Sequence, residues 1–251
     1  MSDVKLVVQC DDFGMCHAGN EGAVKAFNEG ILTQASVMVA CPWFREAAEL
    51  AKVHSIPVGV HLMATAEWDY LRWGPVTGGA SLRLSDGTFP RTIEAIREQA
   101  DDAELLEEFT AQVEAFLAEG LTPAYFDCHM GVISPEPYAA MCNKYGRLFD
   151  YPIGDVAVGF DSIHMLSSHP GDEKVAYLID LISKMDAGRH LIVSHCAVDS
   201  PELRAMTSDT ADNAGWALEY RVSDLAALTS PEVRNAVDDH GVQLVSVADL
   251  A

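Results

Sequence analysis

Short β-rich runs alternate with helical patterns along most of the chain, and this alternation limits the possible folds more than any single motif. Candidate strands are Val4–Cys10, Ala35–Cys41, Val58–Leu62, Ala124–Cys128, Leu191–Ser194 and Val242–Val247, with "IGDVAVG" at 153–159 as a weaker seventh. Helical patterns cover Asn20–Asn28, Trp43–Val53, Asp101–Glu119, Pro137–Arg147, Glu173–Met185 and Pro231–Asp239. Ser230 and Pro231 form an N-cap and first-turn pair. Strands separated by helices of this length make βαβ units and hence a mainly parallel sheet. About seven such units in 251 residues predict an α/β fold of the (β/α) barrel type rather than an open sheet. No linker, repeat or low-complexity tract divides the chain, so residues 1–251 are expected to form one domain.

A hydrophobic content of 49% supplies a sizeable core, and a formal net charge of −22 narrows the partners. Nucleic acid and anionic lipid bind through Lys and Arg, so neither is an expected partner. The opening "MSDVKLVVQC" runs straight into a strand, and no apolar stretch reaches the ~18 residues of a membrane span. A soluble cytoplasmic protein is expected. The six cysteines include no CxxC pair, which predicts reduced, buried thiols; Cys10 and Cys128 are assigned to packing. The acidic run "DDAELLEEF" (Asp101–Phe109) is read as a solvated helix face. One segment breaks the β/α rhythm: Met63–Thr92, which carries Trp68, Tyr70, Trp73 and Phe89 among Gly and Pro. Long irregular loops in compact domains usually serve function, so these aromatics either stack on a ligand or roof the core.

The chemistry gathers where predicted strands end. Asp11 and Asp12 follow the first strand, His61 closes "VGVHL", Asp127 and His129 close "AYFDCH", and His195 follows "LIVS". The carboxyl edge of a parallel sheet is where such folds build active sites. Two imidazoles and a carboxylate suit Zn²⁺, which acidifies water and polarises a carbonyl. Of the two adjacent aspartates, one can hold the metal and the other can act as general base. Successive strand residues point to opposite faces, so the chain must turn here for both to reach one site, and Gly14 eases such a turn. His195 stands as general acid, which completes a set suited to amide or ester hydrolysis. His17, His54, His164, His190 and His240 lack such a context and are read as surface or core residues.

These residues, with "CDDFG", "VGVHL", "SLRLSDGTF", "TPAYFDCH", "LIVSH" and a tail containing "EYRVSDLAALTSPEV", resemble the YdjC/ChbG-type carbohydrate deacetylases, related in chemistry to NodB-type polysaccharide deacetylases. The resemblance implies a distorted (β/α) barrel. It implies a divalent metal (Zn²⁺, with Mg²⁺ as the alternative) on Asp12, His61 and His129, with Asp11 as base and His195 as acid. The implied reaction removes an N-acetyl group from an amino sugar, often a short chitin-type oligosaccharide, and a homodimer is expected. Arg221, Trp68 and Trp73 are the candidate substrate-binding residues. Two departures bear on the substrate. "DCHMGVI" lacks the further histidines common after the third ligand, and "HCAVD" replaces the usual HPG, which occurs instead at His169–Gly171 and makes His169 the rival acid.

Overall fold

The spine of the sheet is β1 (Val4–Phe13), whose Val, Leu and Cys side chains are buried along almost the whole strand. A strand covered on both faces favours apolar residues, as Val4, Leu6–Val8, Cys10 and Phe13 show here. The computed structural model describes residues 3–131, 134–145, 159–208 and 216–250. On one side of β1 lie β2 (Gln34–Val37), β3 (Val58–Leu62) and β4 (Phe126–Cys128). On the other lie β6 (Gly188–Ser194) and then β5 (Ser162–Met165). All these pairings are parallel. A two-residue strand, β7 (Gln243–Leu244), pairs with Lys5 and Leu6, before β2 takes over at Gln9. The sheet curls into a half-barrel.

Helices α1 (His17–Glu29), α2 (Phe44–His54), α3 (Ile93–Gln99), α4 (Asp102–Ala118) and α5 (Pro135–Tyr145) belong to the first part of the chain. The rest are α6 (Lys174–Ser183), α7 (Pro201–Ala205), α8 (Arg221–Leu228) and α9 (Pro231–Asp239). Alternation along β1 divides the core. Leu6, Val8 and Cys10 pack in the large cluster under the helices, whereas Val7 joins Tyr125, Phe160, Leu191, Val193 and Val247 on the other face. Side-chain oxygens of Asp101 and Ser230 cap α4 and α9 by accepting from free first-turn N–H groups. No helix among the described residues is long and apolar enough to cross a membrane.

The expected strands are present but shorter at three places. β2 ends at Val37, because Met38 N–H donates to Phe13 O and the chain then turns. β4 begins only at Phe126. The last strand shrinks to β7, after which Val245 N–H donates to Leu6 O and Val247 N–H to the Gln34 side chain. Residues 153–158 of the weak seventh strand lie outside the described residues. β5, four half-buried residues reading Ser-Ile-His-Met, was not expected, and neither were α3, α7 and α8.

The Met63–Thr92 segment has one short 3₁₀ turn, Ala80–Leu82. Its order comes from the acidic run of α4, which is not simply a solvated face. Glu108 is fully buried and accepts hydrogen bonds from the Val76 and Thr77 N–H groups and from the Thr77 hydroxyl. Glu104 likewise accepts from the N–H and hydroxyl of Ser81. Trp68, Trp73 and Phe89 are buried beneath this segment, and Tyr70 projects into solvent at 84% exposure.

Candidate metal centre

The double aspartate is accommodated by a bulge inside β1. Val7, Gln9 and, by alternation, Asp11 share one face of the strand, which would send Asp12 to the other. Instead, Asp12 adopts φ 63°, in the left-handed region, and the register with β2 shifts between Cys10 and Phe13. A non-glycine residue in this region is strained, and such strain concentrates at functional sites. Gly14 follows at φ 103°, which a side chain would resist. The result brings both carboxylates to one imidazole: His61 Nε2 lies 3.5 Å from Asp12 Oδ1 and 4.0 Å from Asp11 Oδ2.

His129 completes the group, with Nδ1 3.1 Å from Asp12 Oδ1. It follows β4, and the next residue, Met130, also has a left-handed φ of 58°. Donor atoms of Asp12, His61 and His129 lie within 4.8 Å of one another, all buried. Asp12 Oδ1 is buried and makes no well-formed hydrogen bond, with the two imidazoles beside it. A buried carboxylate oxygen without a partner is costly, and a cation there would satisfy it. The donor set of two imidazoles and one carboxylate suits a divalent metal. The residues therefore fit the ion that the sequence implies.

Each histidine is oriented by a carboxylate on its far nitrogen. His61 Nδ1 lies 2.7 Å from Asp127 Oδ1, which leaves Nε2 for the site. His129 is reversed: its Nε2 lies 3.0 Å from Glu67 Oε2, which leaves Nδ1 for the site. Carboxylates in this position fix the tautomer and raise the basicity of a metal-binding imidazole. Asp127 is itself saturated, accepting also from Ser36 Oγ and from Gln9 Nε2. Gln9 Nε2 also donates to Asp11 Oδ1 at 2.7 Å, and its carbonyl accepts from Gln34. Asp127 thus orients His61 and holds the floor beside Asp11. The sequence placed Asp127 at the strand end without this role, and Glu67 carried no sequence signal, standing inside an irregular loop.

Burial and charge set the protonation of the metal-free site. Burial alone would raise Asp12, but the Arg221 guanidinium, 2.6 Å away, and His129 hold it well below the usual carboxylate range. Burial, helped by Asp127 and Asp12, lifts Asp11 to about 7 against the pull of His61. Burial disfavours the His129 cation, yet Glu67 and Asp12 raise it to about 9. His61 also rises well above its usual value, as Asp127 and Asp11 overcome burial. Burial, reinforced by Arg221, His61 and His129, pushes His195 down to about 3, with Asp12 opposing.

The other expected residues are distributed unequally. Arg221 begins α8 behind a π-helical turn at Trp216–Tyr220, and it reaches Asp12 from across the sequence. Its guanidinium lies 5.7 Å over the Trp68 ring. Trp73 meets His129 edge-on at 6.3 Å and donates its indole N–H to Thr65 O. Both tryptophans are buried, Trp68 against Arg221 and Trp73 against His129. His195 follows β6 within electrostatic reach of Asp12, Arg221, His61 and His129. His169 instead stacks on Tyr177 at 3.5 Å. All six cysteines are buried and none forms a disulfide.

The chain is similar to known proteins over almost its whole length. A carbohydrate deacetylase of Thermus thermophilus is 30% identical over 92% of this chain and 89% of its own. One from Geobacillus stearothermophilus is 29% identical over 96% of this chain and 95% of its own. Among solved structures, a protein from Enterococcus faecalis described as a putative cellobiose-phosphate cleavage protein superposes with a TM-score of 0.82 at 22% identity, covering 100% of both chains. A family 4 carbohydrate esterase from Streptomyces lividans shares the fold at a TM-score of 0.54 and 12% identity, over 97% of this chain and 93% of its own. The model of the YdjC-like protein family matches residues 5–239, and the chain belongs to that family.

Proposed function

We propose that the chain is a metal-dependent hydrolase that removes the N-acetyl group from an amino sugar or short chitin-type oligosaccharide. The observation that carries this is the buried Asp12–His61–His129 cluster with its unpartnered Asp12 oxygen, set directly beside Asp11. The relatives named carbohydrate deacetylases support the choice of an acetylated sugar.

Asp12, His61 and His129 would hold the divalent ion, with Zn²⁺ favoured by the imidazoles. Such an ion supplies Lewis-acid polarisation of the acetyl carbonyl and a lower pKa for water. Asp11 is placed to take the proton of the attacking water. Its Oδ1 is pinned by Gln9, and its Oδ2 faces His61 and the cluster. Burial leaves His195 neutral at rest; as the new C–O bond forms, the negative charge developing beside it raises its proton affinity and it takes up a proton from solvent. His195 then supplies a proton to the nitrogen as the C–N bond breaks, releasing acetate and the amine. The proton on Asp11 returns to His195 or to solvent. Arg221 keeps Asp12 ionised and in place. A phosphate ester is a poorer substrate for this centre, because Arg221 is already committed to Asp12 and the surrounding groups are carboxylates.

The test is acetate release from a panel of N-acetylated sugars, with the protein first stripped by chelator and then reloaded with zinc. Release that requires the added metal is expected. No acetate from any N-acetylated sugar with the metal demonstrably bound would reject the proposal.

A further inference from the structure

Behind His195 lies a buried polar chain that takes no part in holding the metal. Lys174 Nζ, on α6, donates to Asp224 Oδ1 of α8 at 2.6 Å, and also to Tyr220 O and Ser223 Oγ. Both Lys174 and Asp224 are fully buried. Asp224 Oδ2 accepts the Ser167 hydroxyl at 2.5 Å and the backbone N–H of His195 at 2.8 Å. Ser167, on the 3₁₀ turn Leu166–Ser168 after β5, lies with its Oγ 3.1 Å from His195 Nδ1. One carboxylate oxygen therefore fixes both the main chain of His195 and the hydroxyl against its ring.

We infer that Ser167 is a positioning residue that locks His195 in the Nδ1–H tautomer, through the buried chain Lys174–Asp224–Ser167. This rests on the assignment of His195 as proton donor made above. A serine hydroxyl has one hydrogen, and an ionised carboxylate only accepts. Burial raises Asp224, but the ammonium at 2.6 Å and the His195 backbone N–H at 2.8 Å oppose this and favour the carboxylate, so the Ser167 hydrogen is spent on Asp224. Towards His195 the hydroxyl can then only accept, and Nδ1 must carry a hydrogen in every protonation state of the ring. Proton exchange is thereby confined to Nε2. This explains the buried lysine, since a neutral Asp224 could offer its own proton to Ser167, and the hydroxyl would be free to turn and donate to Nδ1 instead.

The test uses the full chain, zinc-loaded and labelled with ¹⁵N-histidine, and reads the His195 ring nitrogens by NMR. A single Nδ1–H tautomer is expected in the wild type, and a mixture of both tautomers in Ser167→Ala. On the N-acetylated sugar, Ser167→Ala should lower kcat by about 10- to 100-fold, as expected for a misplaced reacting group, with KM and zinc content unchanged. A wild-type His195 in the Nε2–H tautomer overturns the inference whatever the variant does. So does a Ser167→Ala protein with wild-type kcat. A wild type that releases no acetate sinks the proposed function instead, and the tautomer assignment is then decided by the NMR spectra alone.

Discussion

Replacing Glu67 by Gln isolates what the carboxylate behind His129 contributes. The amide oxygen can still accept from His129 Nε2, so the ring keeps its place while one buried negative charge disappears. Loss of such an orienting carboxylate costs about 10- to 100-fold in metal affinity, or roughly 1.4 to 3 kcal/mol. A second effect opposes it. Burial disfavours protonated His129, but Glu67 leads the groups that raise it to about 9 in the metal-free protein. At pH 7 the metal must therefore displace a proton held by about 3 kcal/mol. In Glu67→Gln that proton is held less tightly, so part of the loss is hidden at pH 7. The affinity ratio of wild type to variant should be small at pH 7 and grow towards the full 10- to 100-fold by pH 9.5. Competition with a chromophoric chelator measures the ratio. Calorimetry in buffers of different ionisation enthalpy counts the protons released. His61 releases its proton in both proteins, so the difference reports His129. Equal zinc affinity at pH 9.5, or equal proton release at pH 7, would refute the role given to Glu67.

Other expectations follow from the same geometry. Asp12→Ala, His61→Ala and His129→Ala should each fail to retain metal on gel filtration, whereas Asp11→Asn should retain it and lose about 10²- to 10⁴-fold in turnover; near-full activity in Asp11→Asn would remove its role as base. The metal-free protein should lose stability as pH rises from 6.5 to 9. Burial lifts folded Asp11 from 3.8 to about 7, so its contribution is lost on the way up, while burial drops His195 from 6.5 to about 3, so its contribution is gained. The two nearly cancel between about 4 and 6.5. Above that, His61 and His129 act in the same direction, both raised by neighbouring carboxylates against burial: the His129 share, with its pKa raised to about 9, is complete below 6.5 and gone above 9, roughly 3 kcal/mol in chelator-treated urea melts, and His61 adds to the loss. Gly59→Ala would set a Cβ 2.5 Å from the Tyr125 ring, within β3 and two residues from His61. Overpacking of this kind costs about 1 to 3 kcal/mol in denaturant unfolding, and an unchanged midpoint would contradict the close approach.

How much of this could be read from the sequence depended on whether a residue's role is local. Parallel strands announce themselves because burial on both faces demands apolar runs, and the side chains of the candidate site sit at their ends by a rule of the architecture. Asp11, Asp12, His61 and His129 were legible for that reason. β5 was not, because Ser-Ile-His-Met has no apolar run and alternates over only four residues, and its polar residues bond to each other and to a neighbouring strand: Ser162 Oγ meets both His190 and His164. α8 was hidden because Arg221 and Asp224 are buried polar groups whose partners lie far off in sequence, so they break the apolar periodicity that would mark a core helix. Glu67 and Ser167 are the sharper cases. Each is an ordinary polar residue in an irregular stretch, and each gains meaning only from the free nitrogen of a histidine brought to it by the fold. The strained backbone at Asp12 belongs with them. Two adjacent aspartates at a strand end demanded a turn, but only the bulge opposite β2 decides that both carboxylates reach His61. Residues of the candidate metal cluster could thus be inferred from strand topology, whereas those that orient the imidazoles required the closed set of distances.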